Sequence, residues 1–265
     1  GTSNLDVIDV DGAANFAADV TFADGADIIT ASAGTSNLRL GVNAGNSIVS
    51  GGNYNVVVGD EAGTAITTGD DNVAIGYAAL DALSVGSRSV AIGSGALTAL
   101  TATGNAYNTA VGYLAGTAVT TGIRNNFFGA EAGEALTEGT DNIAIGYQTL
   151  TADTKGSKSV AIGNNALDAQ NFTSATDAYN VAIGQAAGSA VTTGVQNTLI
   201  GGLAGDAITT GYYNTALGKD ALGTNTLSSL NVAIGHSALK TMSAGNAETH
   251  NVAVGANAGL SVTTG

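Results

Sequence analysis

Histidine is the side chain best suited to acid–base chemistry near neutral pH, and the sequence contains two, His236 and His250. There is no cysteine, so a thiol nucleophile, a disulfide and a cysteine-ligated metal are all excluded. His236 falls at a position that holds Tyr77, Asn164 or Lys219 in related stretches of the chain, which is typical of a variable, solvent-facing site. The sequence therefore predicts no enzymatic activity.

Carboxylates are the other groups that could perform chemistry, because Ca²⁺ binds several oxygen ligands at once. They cluster at Asp60–Glu61, at Asp70–Asp71, and at Glu131, Glu134 and Glu138. The nonapeptide pattern of calcium-binding rolls is absent. We interpret these groups as solvated charges that keep sheet edges apart, and we predict no cofactor. Structural calcium stays an open alternative.

A five-residue phrase, typified by Asn72-Val-Ala-Ile-Gly76, recurs thirteen times. Its first residue is Asn in eleven copies and Ser in two, and the residue before the closing glycine is always apolar. Alternating β-branched and small residues predict a short strand. The closing glycines are Gly41, Gly59, Gly76, Gly93, Gly112, Gly129, Gly146, Gly163, Gly184, Gly201, Gly218, Gly235 and Gly255.

The closing glycines are mostly 17 residues apart, which predicts an all-β fold: a parallel β-solenoid, or β-roll, of about thirteen rungs. Rungs stacked about 4.8 Å apart would span about 60 Å. We expect the asparagine amides to hydrogen-bond up a ladder and the glycines to adopt positive φ at corners. The second half of each repeat is predicted to be a further strand or a turn.

A second level of order spans four repeats. Four residues after the closing glycine, the chain reads Gly, Gly, Leu, Leu, and this pattern then starts again. The stripes of alanine and glycine suggest that backbones approach one another across a contact between chains. We therefore predict a homo-oligomer in the form of a homotrimeric fibre. Residues 1–36 are predicted to form a β-rich segment leading into a repeat region at 37–265, which continues beyond the chain end.

The charge balance restricts the partners. The formal net charge is −14, and the seven lysines and arginines are scattered singly. Nucleic acids and anionic membranes bind clustered cations, so neither is an expected partner. No apolar run approaches the roughly 20 residues of a membrane-spanning helix, so we expect no membrane insertion.

Three longer intervals between repeats, at 98–107, 168–179 and 240–250, are the best candidates for recognition, because loops on a rigid scaffold concentrate binding residues. The tyrosines there could stack on sugar rings. The alternative is that these intervals are tolerated bulges without a function. The predicted surface-recognition residues are Tyr107, Phe172, Tyr179, Met242 and His250.

Thr-Thr-Gly sequences, such as Thr67–Thr68 and Thr120–Thr121, raise an ice-binding alternative, since a flat threonine array can order water. Adjacent residues of a strand point to opposite sides, so such pairs would not present both hydroxyls together. We therefore disfavour this function.

The phrases NVAIG (72–76) and SVAIG (89–93) resemble the head repeats of trimeric autotransporter adhesins, the YadA-like β-rolls. The segments at 108–122, 214–226 and 30–45 are similar to repeats of bacteriophage tail-fibre and appendage proteins. This resemblance implies a trimeric virion fibre whose rigid shaft supports multivalent attachment to glycans or proteins of a host surface. The alternative is an extracellular adhesin or matrix filament on a bacterial cell surface.

Overall fold

The structure is a computed structural model that describes residues 33–242, 244–245 and 247–264. These residues form strands and turns, and none lies in a helix. The strands are β1 (Leu38–Leu40), β2 (Val56–Val58), β3 (Val73–Ile75), β4 (Val90–Ile92), β5 (Thr109–Val111), β6 (Asn126–Phe128), β7 (Ile143–Ile145), β8 (Gly156–Ser157), β9 (Val160–Ile162), β10 (Thr176–Asp177), β11 (Val181–Ile183), β12 (Thr198–Ile200), β13 (Thr215–Leu217), β14 (Val232–Ile234) and β15 (Val252–Val254).

Thirteen of these strands form one parallel sheet in chain order, and β8 and β10 form a separate parallel pair. Each three-residue strand pairs with the equivalent residues of the next rung, as Ala74 does with Ala91. The second half of each rung is a series of turns. The predicted parallel β-solenoid of thirteen rungs is therefore confirmed, and of the two predicted alternatives for the other half of the rung, strand or turn, the turn is observed.

The first residues of the thirteen five-residue phrases, eleven Asn and two Ser, form a column of side chains that links successive rungs. We call this column the ladder. The backbone N–H of Asn72 donates to Oδ1 of Asn55 at 3.0 Å, and Nδ2 of Asn72 donates to the Gly86 carbonyl at 3.0 Å. Both asparagines are fully buried. Nδ2 of Asn55 donates to the Gly69 carbonyl at 2.9 Å, so the one amide of Asn55 satisfies a backbone donor and a backbone acceptor of the next rung, which buried polar groups require. The predicted asparagine ladder is confirmed.

The two serines of the ladder are accommodated differently. Ser159 keeps its backbone bond to the rung below, since its N–H donates to Oδ1 of Asn142 at 2.9 Å. The shorter side chain leaves room for the buried Gln170, which donates to the Ser159 hydroxyl at 3.0 Å and accepts from Nδ2 of Asn180 at 2.8 Å. At Ser89 the hydroxyl is buried without a hydrogen-bond partner.

The sheet has an inner and an outer face. The central residue of every strand of the main sheet from β2 onward is buried, and in most of them it is alanine, as in Ala74 and Ala161. The larger residues on either side point outward and are exposed or half-buried. The prediction that alanine stripes make the contact between chains is therefore wrong. Alanine fills the thin core of its own chain, because side chains alternate across a strand.

The four-rung pattern is a packing arrangement. Phe127 is the central residue of β6 and is fully buried. A Cβ at Gly116 would lie 2.8 Å from its ring, and one at Gly133 would lie 2.3 Å from it. Leu199 is flanked in the same way by Gly188 and Gly205. Glycine therefore occurs where a neighbouring strand supplies the large side chain, and leucine fills the core beside rungs whose strands carry alanine.

Of the predicted leading segment at 1–36, residues 1–32 lie outside the described residues, and residues 33–36 form bends. No helix in the described part of the chain has the length and apolar character needed to cross a membrane.

Removal of one ladder amide tests whether the ladder stabilises the stack. Asn125 accepts from the N–H of Asn142 at 3.0 Å and donates to the Gly139 carbonyl at 2.8 Å. Asn125→Ala leaves these buried groups unpaired, so we expect the free energy of unfolding to fall by about 1–3 kcal/mol. Urea titration checks this result. The control is Asn126→Ala, at the exposed neighbour; equal losses in both variants would contradict a special role of the ladder.

Candidate recognition surface

The three longer intervals are bulges at one corner of the solenoid. In the first, Thr101 N donates to the Thr120 carbonyl and Ala106 N donates to the Ser87 carbonyl, so the extra residues lie at 102–105. The equivalent bonds place the second insertion at 172–177, and the third lies between Met242 and Thr249. Each insertion adds a parallel pairing to the rung below, by Ser87–Asn105, β8–β10 and Ser229–Glu248.

Three of the five predicted recognition residues lie on one column. Tyr107, Tyr179 and His250 each immediately precede a ladder asparagine, and their side chains are exposed, with both tyrosines at 48%. We call this set the pre-ladder column. All of its members have φ between 49° and 64°. They are Ser36, Tyr54, Asp71, Arg88, Tyr107, Arg124, Asp141, Lys158, Tyr179, Gln196, Tyr213, Leu230 and His250.

The other two predicted residues are not on the surface. Phe172 is 6% exposed and Met242 is fully buried. The backbone N–H of Phe172 donates to the buried carboxylate of Asp153 at 3.0 Å, and the Met242 sulfur accepts from Nδ2 of Asn251 at 3.2 Å. Their prediction as surface-recognition residues is therefore corrected: both point into the solenoid, where they fill space beneath the second and third insertions.

Cations stack against the column tyrosines that follow them. Nη1 of Arg88 donates to the Tyr107 hydroxyl at 3.0 Å, and its guanidinium lies 5.9 Å from the ring centroid. Nε of Arg88 lies 3.5 Å from an Asp71 carboxylate oxygen. One carboxylate, one cation and one tyrosine therefore occupy three consecutive rungs. Cation–π attraction of this kind stabilises the tyrosine ring against its neighbour by about 0.5–1 kcal/mol at an exposed site.

The same arrangement recurs four rungs later. Nζ of Lys158 donates to the Tyr179 hydroxyl at 3.0 Å and to Oδ2 of Asp177 at 2.6 Å. The ammonium lies 5.1 Å from the centroid of the Tyr179 ring. The hydrogen bond to Asp177, which has the larger effect, and the hydrogen bond to Tyr179 both raise the pKa of Lys158 above its usual value. The lysine therefore stays charged throughout the physiological range.

Between these two groups, Arg124 forms a bidentate pair with Asp141, with N–O distances of 2.6 and 2.9 Å. The hydrogen bonds from this guanidinium lower the pKa of Asp141 below its usual value, against a smaller effect of partial burial. The column thus carries three cations and two carboxylates, and Asp177, which is not on the column, pairs with the third cation, Lys158. Its exposed chemistry is aromatic rings and paired charges.

Sequence reasoning missed several members of this surface. Tyr54 and Tyr213 are 60% and 50% exposed on the same column, yet they lie outside the insertions. Arg88, Arg124 and Lys158 were not singled out either. A signal was present: each of these residues directly precedes an Asn or Ser of the five-residue phrase.

The carboxylate clusters have partners within the chain. Glu138 pairs with Lys155 at 2.8 Å, and Glu131 accepts from Nε2 of Gln148 at 2.8 Å. Among the described residues, no three His, Cys, Asp or Glu side chains are placed to hold one metal ion. Both histidines are exposed.

The threonine corners also use their hydroxyls internally. Thr67 donates to the Ser84 carbonyl at 3.1 Å, and Thr120 donates to the Thr137 carbonyl at 3.2 Å. Because the first threonine of these pairs bonds to the next rung, its hydroxyl is not free to join an ice-matching array.

Comparison with known proteins finds no matching protein family, no matching curated protein and no matching solved structure. An exposed column of tyrosines with paired charges is suited to binding a partner surface through many small contacts.

The Arg124–Asp141 pair makes a pH-dependent prediction. Because the folded state lowers the pKa of Asp141, the pair stabilises the fold above the usual aspartate pKa of about 3.9, and this contribution is lost as pH falls through the lowered pKa. In Arg124→Gln we expect the Asp141 pKa, measured from its carboxyl ¹³C shift, to rise. Arg124→Lys, which keeps the charge, is the control and should show a smaller rise. An unchanged Asp141 pKa in Arg124→Gln would contradict the assignment.

Proposed function

We propose that this chain is a segment of a rigid, homo-oligomeric fibre shaft that supports multivalent attachment to a cell surface. The observation that carries the proposal is the outer face of the thirteen-stranded sheet. Each strand presents two outward residues, and none of these is charged, although the chain has a net charge of −14. They are Val, Ile, Leu or Phe throughout, except for Thr109, Asn126, Thr198 and Thr215.

The size of this outer face favours a protein partner. Thirteen strands about 4.8 Å apart make a strip about 58 Å long. Several of its side chains are well exposed, including Leu40 at 46%, Phe128 at 43% and Leu217 at 44%. An uncharged, mostly apolar strip that continues over thirteen rungs is the kind of surface that marks a protein–protein contact. Its burial would supply the apolar core of an oligomer interface.

A second copy of the same chain is the occupant that fits best. The strip has a constant repeat and no charge, so it is complementary to an identical strip with the same rung spacing. The two outward rows lie on either side of the buried alanine row. In a ring of three parallel chains, the first row of each copy would meet the second row of its neighbour, and all three strips would be covered around one axis.

The fibre would act mechanically. The insertions recur about every fourth rung, so a trimer would present many equivalent surfaces along a rigid rod, and avidity would replace single-site affinity. We propose a bacteriophage tail fibre or a similar virion appendage that binds glycans or proteins of its host. The likeness of the NVAIG phrases to adhesin head repeats favours a second candidate, a bacterial surface adhesin or extracellular filament of the same architecture.

The oligomer is tested by light scattering behind a sizing column. We expect a mass three times that of the 25.7 kDa chain. Ile162→Lys places a charge in the centre of the outer face, where burial is costly, so this variant should elute as a monomer. The control Gln196→Lys adds the same charge on the pre-ladder column and should leave the trimer intact. A wild-type monomer at all concentrations would contradict the proposal.

Attachment is tested with the fluorescently labelled chain on a panel of bacterial cells. If avidity provides the binding, the trimer should be retained on its host at concentrations on the order of 100-fold lower than monomeric Ile162→Lys. Thr68→Lys, at an exposed position that is neither on the pre-ladder column nor on the outer face, serves as the trimeric control. Equal retention of the trimer and the monomer would contradict the multivalent mechanism.

A further inference from the structure

We infer that the first insertion forms a binding site for a neutral saccharide. A cavity of about 310 Å³ opens at this insertion, lined by Thr101, Ala102, Thr103, Asn105, Thr121 and Ile123, with Gly104 at its rim. This volume lies at the lower end of the range of small-ligand sites. The inference extends the proposed attachment function by naming a ligand class for one insertion.

The cavity exists because the first insertion carries a small residue where the second carries a large one. Ala102 and Phe172 both lie nine residues after the closing glycine of their rungs, Gly93 and Gly163. Phe172 is buried beneath the second insertion, and Asp153 holds its backbone N–H at 3.0 Å. At Ala102 no large side chain fills the corner, so the first insertion stands open.

The lining is polar but uncharged. The hydroxyls of Thr103 and Thr121 and the amide of Asn105 are exposed, and within the described part of the chain they make no hydrogen bond to protein. Two hydroxyls and one amide are therefore free to donate to and accept from a ligand. Ala102 and Ile123 add an apolar surface.

This combination matches the chemistry of a neutral sugar, whose hydroxyls can donate to and accept from uncharged side chains and whose C–H faces pack on apolar groups. No lysine or arginine lines the cavity, so an anionic ligand would lack a counter-ion on a chain with net charge −14.

The backbone supports an open rim. Gly104 has φ +128°, and a Cβ at this position would meet no heavy atom within 4 Å. The rim residue therefore faces open space, and a ligand can enter without displacing the chain. Ser87 N donates to the Gly104 carbonyl at 2.8 Å, which fixes the rim on the rung below.

The test is saturation-transfer NMR on the full chain with free methyl glycosides of glucose, galactose, mannose and N-acetylglucosamine, and with glucuronate as a charged probe. We expect transfer to at least one neutral glycoside and none to glucuronate. Ala102→Phe, which introduces the residue of the second insertion, should abolish the transfer. Thr121→Val, which removes a single hydroxyl, should weaken binding at least five-fold.

The matched control is Thr193→Val, which makes the same change at the equivalent position of the rung after the second insertion, and it should bind as the wild type does. Transfer to no neutral glycoside, or transfer that persists in both Ala102→Phe and Thr121→Val, would overturn the inference. Light scattering of the same samples separates this result from the proposed shaft: a trimer that binds no glycoside would contradict the saccharide site alone.

Discussion

The structure depends on one constraint: each rung must satisfy the backbone hydrogen bonds of the next rung in register. The strands have only three residues, so their own pairing is short. The ladder supplies what the strands lack, because most of its asparagines bond to a backbone N–H and a backbone carbonyl of the following rung, as Asn55 does with Asn72 and Gly69. A slip by one residue would break these bonds along the whole column and expose buried amides without partners, so the register is strongly specified.

This register also determines where side-chain volume can go. The closing glycines lie directly over one another; a Cβ at Gly76 would come within 2.7 Å of the Gly93 carbonyl, so the rungs approach too closely there for any side chain. The core is thin, and at the centre of a strand the large side chains of Phe127 and Leu199 each fit between two glycines. The remaining apolar residues of each strand point outward. The same alternation that places alanine inside thus creates the uncharged strip on which the proposed oligomer depends.

Much of this architecture could be predicted from the sequence, because the same residue pattern, and with it the same local structure, recurs thirteen times. Strand, ladder, rung number and insertion corner follow from periodicity and residue type. Which face of each strand points into the core could not be predicted, because a Val-Ala-Ile triplet is compatible with either the alanine or the two larger residues inside. Ala74 lies inside because the rung is too narrow for larger side chains on that face. Phe172 and Met242 were misplaced for a related reason. Their burial depends on how the chain turns at the corner, and Asp153, whose buried carboxylate accepts from the Phe172 N–H, gave no local sign of that role.

The central claim is that the outward Val and Ile strip is covered by other copies of the chain in solution. The chain has no cysteine, so a single thiol can report on this directly. The measurement is the rate at which a maleimide modifies Ile162→Cys in the native protein, compared with Gln196→Cys on the exposed pre-ladder column. Buried thiols are protected from reagents, so the account predicts that Ile162→Cys reacts much more slowly than Gln196→Cys and at a comparable rate after unfolding in urea. Equal native rates at both positions would show that the strip is open to solvent and would contradict the account.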